Sequence, residues 1–293
     1  MLHNTRHKPL PDYLKTKLQR LRKRRRMTLC IAAPCFIRDD AGETQSRIVY
    51  GWDAREETEF TGGDVAFKVE PVKSLLALQA GEGSAPEDFL ATCRSCLPEK
   101  LNFVQAFDQL NAAVGMHKQK LCQRRAQEKF GIDYERVLTK GEQELPADTR
   151  ERFFYDLEKL DPGYEVIIFG YSGLLPLVFV VDRYDVRTCS QTFATIGSGA
   201  YIAETVLYQR QQQFGNNLDY TLYSVYEAFR LASGAAPGVG GFTIGVSSPN
   251  GDPETYGSQF VNDDGKKKLE KAFQKFGPRP INDPPTLTTD HFQ

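Results

Sequence analysis

Segments that favour β-strands occur along this chain in pairs, and segments with helical periodicity occur in pairs between them. The strand-like segments are rich in β-branched and aromatic residues, and the helical ones carry apolar residues three or four positions apart. The order is two strands, two helices, two strands, two helices and then further strands. Because each helix pair needs a sheet face to pack on, this order favours stacked sheets over a doubly wound parallel sheet. It predicts an α+β fold, a four-layer αββα sandwich of two packed, mainly antiparallel sheets.

The predicted helices differ in how clearly their buried faces can be identified. The first begins at Pro86, a residue well suited to a helix start. The second is expected to bury Phe103, Phe107, Leu110 and Val114, together with Leu121. Two later helices are indicated by apolar residues at 202–206 and 222–229. The predicted strands are, in chain order, 28–37, 47–52, 65–69, 166–171, 177–181, 193–196 and 242–246.

Composition divides the chain into a body and two extensions. Residues 1–27 form a basic extension, interpreted either as a propeptide or as sequence upstream of a start at Met27. Residues 28–275 form the predicted domain, with a polar helical insertion at about 130–160. Residues 276–293 are rich in proline and polar residues and are expected to be disordered.

The formal net charge of −1 conceals an uneven distribution. Residues 1–27 contain ten Lys or Arg and one acid, a balance of +9, which leaves −10 for the remainder of the chain. The basic run at 22–26 could bind nucleic acid or act as a targeting signal. The interpretation as a solvated extension is favoured, because the body is acidic. The acidic body therefore argues against nucleic acid as a partner.

Cysteine content and hydropathy point to a cytoplasmic protein without a membrane span. Six cysteines in 293 residues are too few for a disulfide-rich secreted scaffold, so a reducing compartment is expected. The longest apolar stretch, 166–181, is interrupted by glycine, serine and proline. It is also shorter than the ~20 residues that a membrane helix needs.

Several kinds of chemistry find few candidate residues. His117 is the only histidine between the two extensions, which disfavours mechanisms that need a catalytic histidine. The GxxxxGK[ST] phosphate-binding motif is absent from the sequence. Cys93, Cys96, His117 and Cys122 could serve as zinc ligands. They fall within helical patterns, where cysteine is commonly a small core residue, so no metal or other cofactor is predicted.

Thr28 offers a nucleophile and a base in one residue if the chain begins there. A start at Met27 would leave methionine removable, because the threonine that follows is small. An α-amine has an ordinary pKa of about 7.7–8, so part of it is neutral at physiological pH and can take the hydroxyl proton. A neighbouring ammonium disfavours protonation of the amine, and a carboxylate keeps that ammonium oriented. Lys68 and Asp53 are the candidates for these two groups.

At this point the chain resembles the proteasome β-subunit family of N-terminal-nucleophile hydrolases, including its bacterial proteasome-like relatives. The resemblance covers most of 28–246. It rests on Thr28 opening the first strand, Asp53 in GWDAR ending the second, Lys68 fifteen residues later, Gly81 in the turn before a helix, the 166–181 strand pair, and Ser198 in TIGSG before another helix.

The resemblance implies a role for each of five residues. Thr28 would be the nucleophile, Lys68 and Asp53 its activating pair, Ser198 a supporting hydrogen-bonding group, and the backbone N–H near Gly81 an oxyanion donor. Each residue also has an ordinary interpretation. A strand-initial threonine is simply β-prone, an aspartate can cap a turn, a lysine is usually solvated, and small residues are common in turns.

The sequence departs from the family at two places. The family commonly has an Asp-x-x-Ser pair before its last strands, whereas segment 228–241 has no aspartate, and Ser233 is the only candidate substitute suggested. In addition, residues 1–27, if retained, convert the α-amine of Thr28 into an amide and remove the base.

The resemblance implies a threonine-type hydrolase that cleaves peptide or other amide bonds in peptide or protein substrates through an acyl-enzyme. It also implies a homo-oligomeric, ring-like assembly, with an unfoldase partner by analogy alone. One alternative is a catalytically inactive proteasome-like scaffold or assembly subunit. A third interpretation is a nucleic-acid-binding protein that uses residues 15–26.

Overall fold

The computed structural model describes residues 28–38, 42–53, 56–57, 62–63, 68–81, 84–99, 102–183, 185–235, 241–249 and 257–278. The predicted basic extension 1–27 lies outside the described residues, as do 65–67 of the predicted third strand and 279–293 of the predicted tail.

The described part of the chain contains twelve strands and seven helices. The strands are β1 (Cys30–Arg38), β2 (Thr44–Asp53), β3 (Glu56–Glu57), β4 (Gly62–Gly63), β5 (Val69–Val72), β6 (Leu75–Gly81), β7 (Tyr164–Ser172), β8 (Leu175–Asp182), β9 (Asp185–Thr188), β10 (Ala194–Ile196), β11 (Phe242–Ser247) and β12 (Gln259–Phe260). The helices are α1 (Ala85–Cys96), α2 (Phe103–Phe130), α3 (Tyr134–Glu144), α4 (Ala147–Glu158), α5 (Ala200–Gln209), α6 (Leu218–Ala235) and α7 (Asp263–Phe276).

Ten of these strands form two five-stranded sheets. The first sheet has the order β10-β1-β2-β11-β12 and the second the order β5-β6-β7-β8-β9. Every strand pairing within the two sheets is antiparallel. The β1–β2 hairpin runs in continuous register from Cys30 opposite Trp52 to Arg38 opposite Thr44. This register brings the end of β2 back to the beginning of β1.

The side chains of β1 pack on both faces of the first sheet. Successive side chains point to opposite faces of a strand, so Cys30 and Ala32 face the second sheet while Ile31 and Ala33 face the helices. Both faces are covered, which accounts for the continuous apolar run in the sequence. The layer between the sheets also contains Tyr50, Trp52, Leu78, Ile167, Phe169, Val178 and Val180.

Helices complete the sandwich on both outer faces. Residues of α1 and α2 pack with the outer face of the second sheet in one buried cluster. Helices α5 and α6 cover the first sheet, with α7 at the edge of that cluster. The order from outside to outside is helix, sheet, sheet, helix. The predicted four-layer αββα sandwich with antiparallel sheets is therefore confirmed.

The predicted buried face of α2 is wrong in part. Leu110 and Val114 are buried as expected, but Phe103 is 40% exposed and Leu121 is half-buried. The buried face instead includes the small residues Ala106 and Ala113. Small side chains let a helix approach its neighbours closely, so the contact follows the alanines as well as the large apolar residues.

The third strand also differs from its prediction. It was expected at 65–69, whereas β5 is Val69–Val72. In the predicted insertion, α3 and α4 pack on the second half of α2 around Cys122, Val137 and Phe153. Within the described residues, no helix combines the length and apolar character needed to cross a bilayer.

Candidate active site

The β1–β2 hairpin carries Asp53 to the residue that follows Thr28. Asp53 N donates to the Leu29 carbonyl oxygen at 3.0 Å. In the other direction, Leu29 N donates to Asp53 Oδ1, also at 3.0 Å. The backbone at Thr28 and Leu29 is thus tied to the Asp53 carboxylate by the pairing of the first two strands, although 24 residues separate Leu29 from Asp53 in the sequence.

Lys68 reaches the same carboxylate from the second sheet. Its Nζ lies 2.6 Å from Asp53 Oδ1, and the two side chains are 13% and 0% exposed, respectively. Lys68 immediately precedes β5, and its carbonyl oxygen accepts a hydrogen bond from Gln79 N of β6 at 3.1 Å. The ion pair therefore joins the two sheets next to Thr28.

The Asp53 carboxylate is a buried charge with asymmetric contacts. Oδ1 accepts from both Lys68 Nζ and Leu29 N. Oδ2 has no hydrogen-bond partner among the described residues. Burial raises the pKa of the Asp53 carboxyl, and the nearby Lys68 ammonium opposes this rise. The charged form therefore depends strongly on Lys68.

Residues 197–199 hold Thr28 from the opposite side. Thr28 N donates to Ser198 Oγ at 3.1 Å, and Gly199 N donates to the Thr28 carbonyl oxygen at 3.1 Å. Pairing of Cys30 with Ile196 in the β1–β10 ladder delivers this loop to the start of β1. Gly197 has a φ of +91°, and a Cβ there would lie 2.2 Å from the Thr28 carbonyl oxygen. Glycine is required by both its conformation and its close approach to Thr28.

Glu165 also contacts the residues around Thr28, and the sequence analysis did not identify it. Its Oε2 accepts a hydrogen bond from Gly197 N at 2.6 Å. Glu165 lies on β7, opposite Ala80 of β6. The signal available in the sequence was a single carboxylate in the otherwise uncharged strand YEVIIFGYS.

The thiol of Cys30 lies in the electric field of all three charged residues of the site. Burial raises the pKa of this thiol, the Lys68 charge lowers it, and the charges of Asp53 and Glu165 raise it further. Cys30 is fully buried and its Sγ contacts the Gln79 carbonyl oxygen at 3.6 Å. A buried thiol held in its neutral form is a packing residue rather than a nucleophile.

Thr28, Asp53, Lys68 and Ser198 are thus brought together, whereas Gly81 is linked to them less directly. Gly81 ends β6 opposite Tyr164, with a φ of +156°. A Cβ there would lie 2.5 Å from the Gly163 carbonyl oxygen, so packing alone accounts for the glycine. Its role as an oxyanion donor stays a prediction.

The suggested substitute for the missing Asp-x-x-Ser pair lies on α6. Ser233 Oγ donates to the Phe229 carbonyl oxygen at 2.7 Å, one turn earlier in the same helix. This bond is the common local arrangement of a helical serine. Residues 236–240 lie outside the described residues.

The four candidate zinc ligands do not form a metal-binding group in the described part of the chain. Cys93 and Cys122 belong to separate apolar clusters. The His117 ring packs edge-on against Phe89 and Tyr164, with centroid distances of 5.6 and 5.4 Å. Burial raises the pKa of Cys93 to about 12 and lowers that of His117. Among the described residues, no group of three or more His, Cys, Asp or Glu could hold a metal ion.

Comparison with known proteins identifies the fold. No family model matches the chain, and no curated protein matches its sequence. Among solved structures, the chain is similar to Anbu (ancestral beta-subunit) from Yersinia bercovieri, with a TM-score of 0.52 and 13% sequence identity. The match covers 87% of this chain and 99% of that one. The chain thus shares the four-layer αββα fold of that ancestral beta-subunit. At this level of identity the likeness concerns the fold alone.

Proposed function

We propose that this chain is a threonine-type N-terminal-nucleophile hydrolase that cleaves peptide or other amide bonds, with Thr28 as its nucleophile once residues 1–27 no longer precede it. The observation that supports this proposal most strongly is the buried Lys68–Asp53 ion pair, whose carboxylate is bonded to the residue after Thr28. A buried ion pair beside the beginning of β1 is costly to maintain for packing alone.

Each residue of the cluster has a chemical role in this proposal. The free α-amine of Thr28 takes the proton from its own hydroxyl, directly or through water, and Thr28 Oγ attacks the substrate carbonyl carbon. The amine then delivers that proton to the leaving nitrogen as the amide bond breaks. Lys68 disfavours protonation of the amine before the attack, and Asp53 holds Lys68 in position. Water afterwards hydrolyses the ester that links the acyl group to Thr28.

Two further groups support the reaction. Ser198 Oγ accepts a hydrogen bond from Thr28 N, so it fixes the direction of the amine. The backbone N–H near Gly81 is proposed to stabilise the oxyanion of the tetrahedral intermediate. No cofactor is required by this sequence of steps, because the nucleophile, the base and their activating charges are all side chains or backbone groups of the protein.

The proposed setting is a cytoplasmic, homo-oligomeric, ring-like assembly acting on peptide or protein substrates. Its basis is the proteasome-like fold, and an unfoldase partner is proposed by analogy only.

A second candidate function is a catalytically inactive scaffold subunit. One observation favours it: segment 228–241 lacks an aspartate. A retained extension would also leave Thr28 with an amide in place of a basic amine. The state of the N-terminus therefore separates the two candidates.

The decisive experiment measures the mass of the protein and its reaction with an electrophilic probe. The full chain and a chain starting at Met27 are purified, and intact mass spectrometry determines whether each begins at Thr28. A peptidyl β-lactone should acylate the form that begins at Thr28, and peptide mapping should place the added mass on that residue. Assembly is followed by analytical ultracentrifugation, so that loss of labelling is not confused with loss of structure.

Substitution of Thr28 tests the identity of the nucleophile. Thr28→Ala should abolish acylation, because it removes the attacking oxygen, whereas Thr28→Ser retains a hydroxyl and should still react. Thr188→Ala, at an exposed threonine of β9, is the matched control and should label like the wild type. Undiminished labelling of Thr28→Ala would exclude this nucleophile, and a wild-type protein that begins at Thr28 but never reacts would favour the scaffold.

A further inference from the structure

The loop that contacts Thr28 is itself bonded to the opposite sheet. Gly197 and Ser198 follow β10 of the first sheet, whereas Glu165 belongs to β7 of the second. The 2.6 Å hydrogen bond from Gly197 N to Glu165 Oε2 crosses the space between the sheets. A carboxylate acceptor makes such a bond about twice as strong as a neutral acceptor would.

Movement of this loop would be transmitted directly to Thr28. The backbone of Gly197 lies so close to Thr28 that a Cβ would meet its carbonyl oxygen and carbon at 2.2 and 2.7 Å. The next two residues supply Ser198 Oγ, which accepts from Thr28 N, and Gly199 N, which donates to the Thr28 carbonyl. The peptide unit that Glu165 holds is therefore adjacent to both hydrogen bonds that orient Thr28.

The surroundings of Glu165 in β7 do not otherwise favour a carboxylate. The next residues of β7 on the same face, Ile167 and Phe169, are buried and apolar, and every other residue of the strand is uncharged. A half-buried carboxylate in such a strand is unfavourable unless it forms strong hydrogen bonds. The bond to Gly197 N is the contact that offsets this cost.

We infer that Glu165 is a positioning residue for the reaction of Thr28: by accepting from Gly197 N it fixes residues 197–199, and through Ser198 it sets the direction of the Thr28 amine. This inference rests on the proposed function. Glu165 acts through the loop and does not exchange a proton with the substrate. It is a fixed acceptor in a strand of the opposite sheet, and its contribution depends on where its carboxylate oxygen lies.

The test compares three substitutions of Glu165 with a matched control. Glu165→Ala removes the acceptor, Glu165→Gln keeps a neutral acceptor at the same place, and Glu165→Asp withdraws the acceptor by the length of one carbon–carbon bond. Asp182→Ala is the control, because Asp182 is a half-buried carboxylate directly opposite Glu165 on β8. All variants are made in the form that begins at Thr28, and their assembly is measured first.

Two readouts are used, and one of them does not depend on activity. Amide hydrogen exchange over 193–200 should be faster in Glu165→Ala, by about tenfold, because the Gly197 N–H loses its acceptor. Acylation by the β-lactone at saturating probe should slow by roughly 10- to 100-fold, the loss expected when a reacting group is displaced by about 1 Å. The probe concentration that gives half-maximal rate should change little.

The conservative variants separate positioning from loss of structure. Glu165→Gln should recover acylation to within about fivefold of the wild type, since a neutral acceptor is weaker by about 1 kcal/mol. Glu165→Asp should react as slowly as Glu165→Ala, and it carries the test if the alanine variant does not fold. Asp182→Ala should match the wild type in both readouts.

The outcomes distinguish this inference from the proposed function. If wild-type Thr28 is acylated and Glu165→Ala or Glu165→Asp reacts at the same rate, the inference about Glu165 is overturned and the proposed function stands. Unchanged hydrogen exchange in Glu165→Ala overturns it in the same way. If wild-type Thr28 is never acylated, the proposed function fails and the catalytic role of Glu165 fails with it.

Discussion

Removal of the Lys68 ammonium should make the stability of the protein depend steeply on pH. In Lys68→Met the Asp53 side chain, which is 0% exposed, keeps Leu29 N as a hydrogen-bond donor but loses its counter-ion. A buried carboxylate without a counter-ion takes up a proton rather than remain charged. In the native state of the variant the Asp53 carboxyl should therefore be protonated. In the unfolded chain the same carboxyl loses this proton at any pH above its ordinary pKa.

The size of the effect follows from that proton. An unfolded aspartate has an ordinary pKa of 3.8, about three pH units below neutrality. Each unit corresponds to 1.36 kcal/mol, so the free energy of unfolding should fall by up to about 4 kcal/mol at pH 7. The native pKa is raised, so the loss grows as pH rises and shrinks by about 1.4 kcal/mol for each unit by which pH falls. At pH 5, which is 1.2 units above the ordinary pKa of 3.8, the loss should be about 1.6 kcal/mol.

Urea unfolding at pH 7 and pH 5 measures this dependence. The double variant Asp53→Asn/Lys68→Met should recover at least half of the loss at pH 7, because no buried group then needs a proton. Lys73→Met is the control, since Lys73 pairs with the exposed Glu99 and should change stability by less than about 1 kcal/mol. Equal losses in Lys68→Met at both pH values, or a negligible loss at pH 7, would refute the reasoning.

Two further predictions concern Gly197 and His117. Gly197→Ala should destabilise the fold by at least about 1–3 kcal/mol and suppress acylation of Thr28, because its Cβ would collide with the Thr28 carbonyl; a normal melting temperature with normal labelling would contradict this. Burial lowers the pKa of His117, so its neutral form stabilises the fold above the ordinary pKa of 6.5, and this contribution is lost as pH falls. His117→Leu should therefore weaken the decline in stability between pH 6.5 and 5 by up to about 2 kcal/mol, measured by thermal unfolding, whereas an unchanged decline would assign the effect to other groups.

Much of the architecture could be predicted because its signals are local. The β7–β8 hairpin and the β1–β2 hairpin are each a pair of apolar, β-branched segments joined by a short turn that contains glycine, and neighbouring strands of this kind pair with each other. The grouping of helices between strand pairs was enough to favour stacked sheets. The four-layer order follows from these two facts and from the need to cover each sheet face.

The details that were wrong depend on contacts distant in sequence. The buried face of α2 follows Ala106 and Ala113 because small residues permit close packing, and periodicity counts only large apolar residues. Glu165 was missed because its partner, Gly197 N, is 32 residues away and belongs to the other sheet. The donor of this hydrogen bond is a backbone N–H, which almost every residue type has. The amino-acid sequence therefore carries no signal of the bond.

The order of Thr28, Asp53, Lys68 and Ser198 along the chain was enough to nominate a nucleophile and its neighbours, since chemistry restricts which side chains can serve. Sequence also determined the β1–β2 and β7–β8 hairpins, because strand propensity and turns act over a few residues. Only the tertiary structure decided that strands from two sheets meet at Thr28. There the Asp53 carboxylate is buried against the Lys68 ammonium, and the Glu165 carboxylate accepts a hydrogen bond from the loop that contacts Thr28. Charges in a low-dielectric interior interact according to distance, and distance is set by how the layers pack.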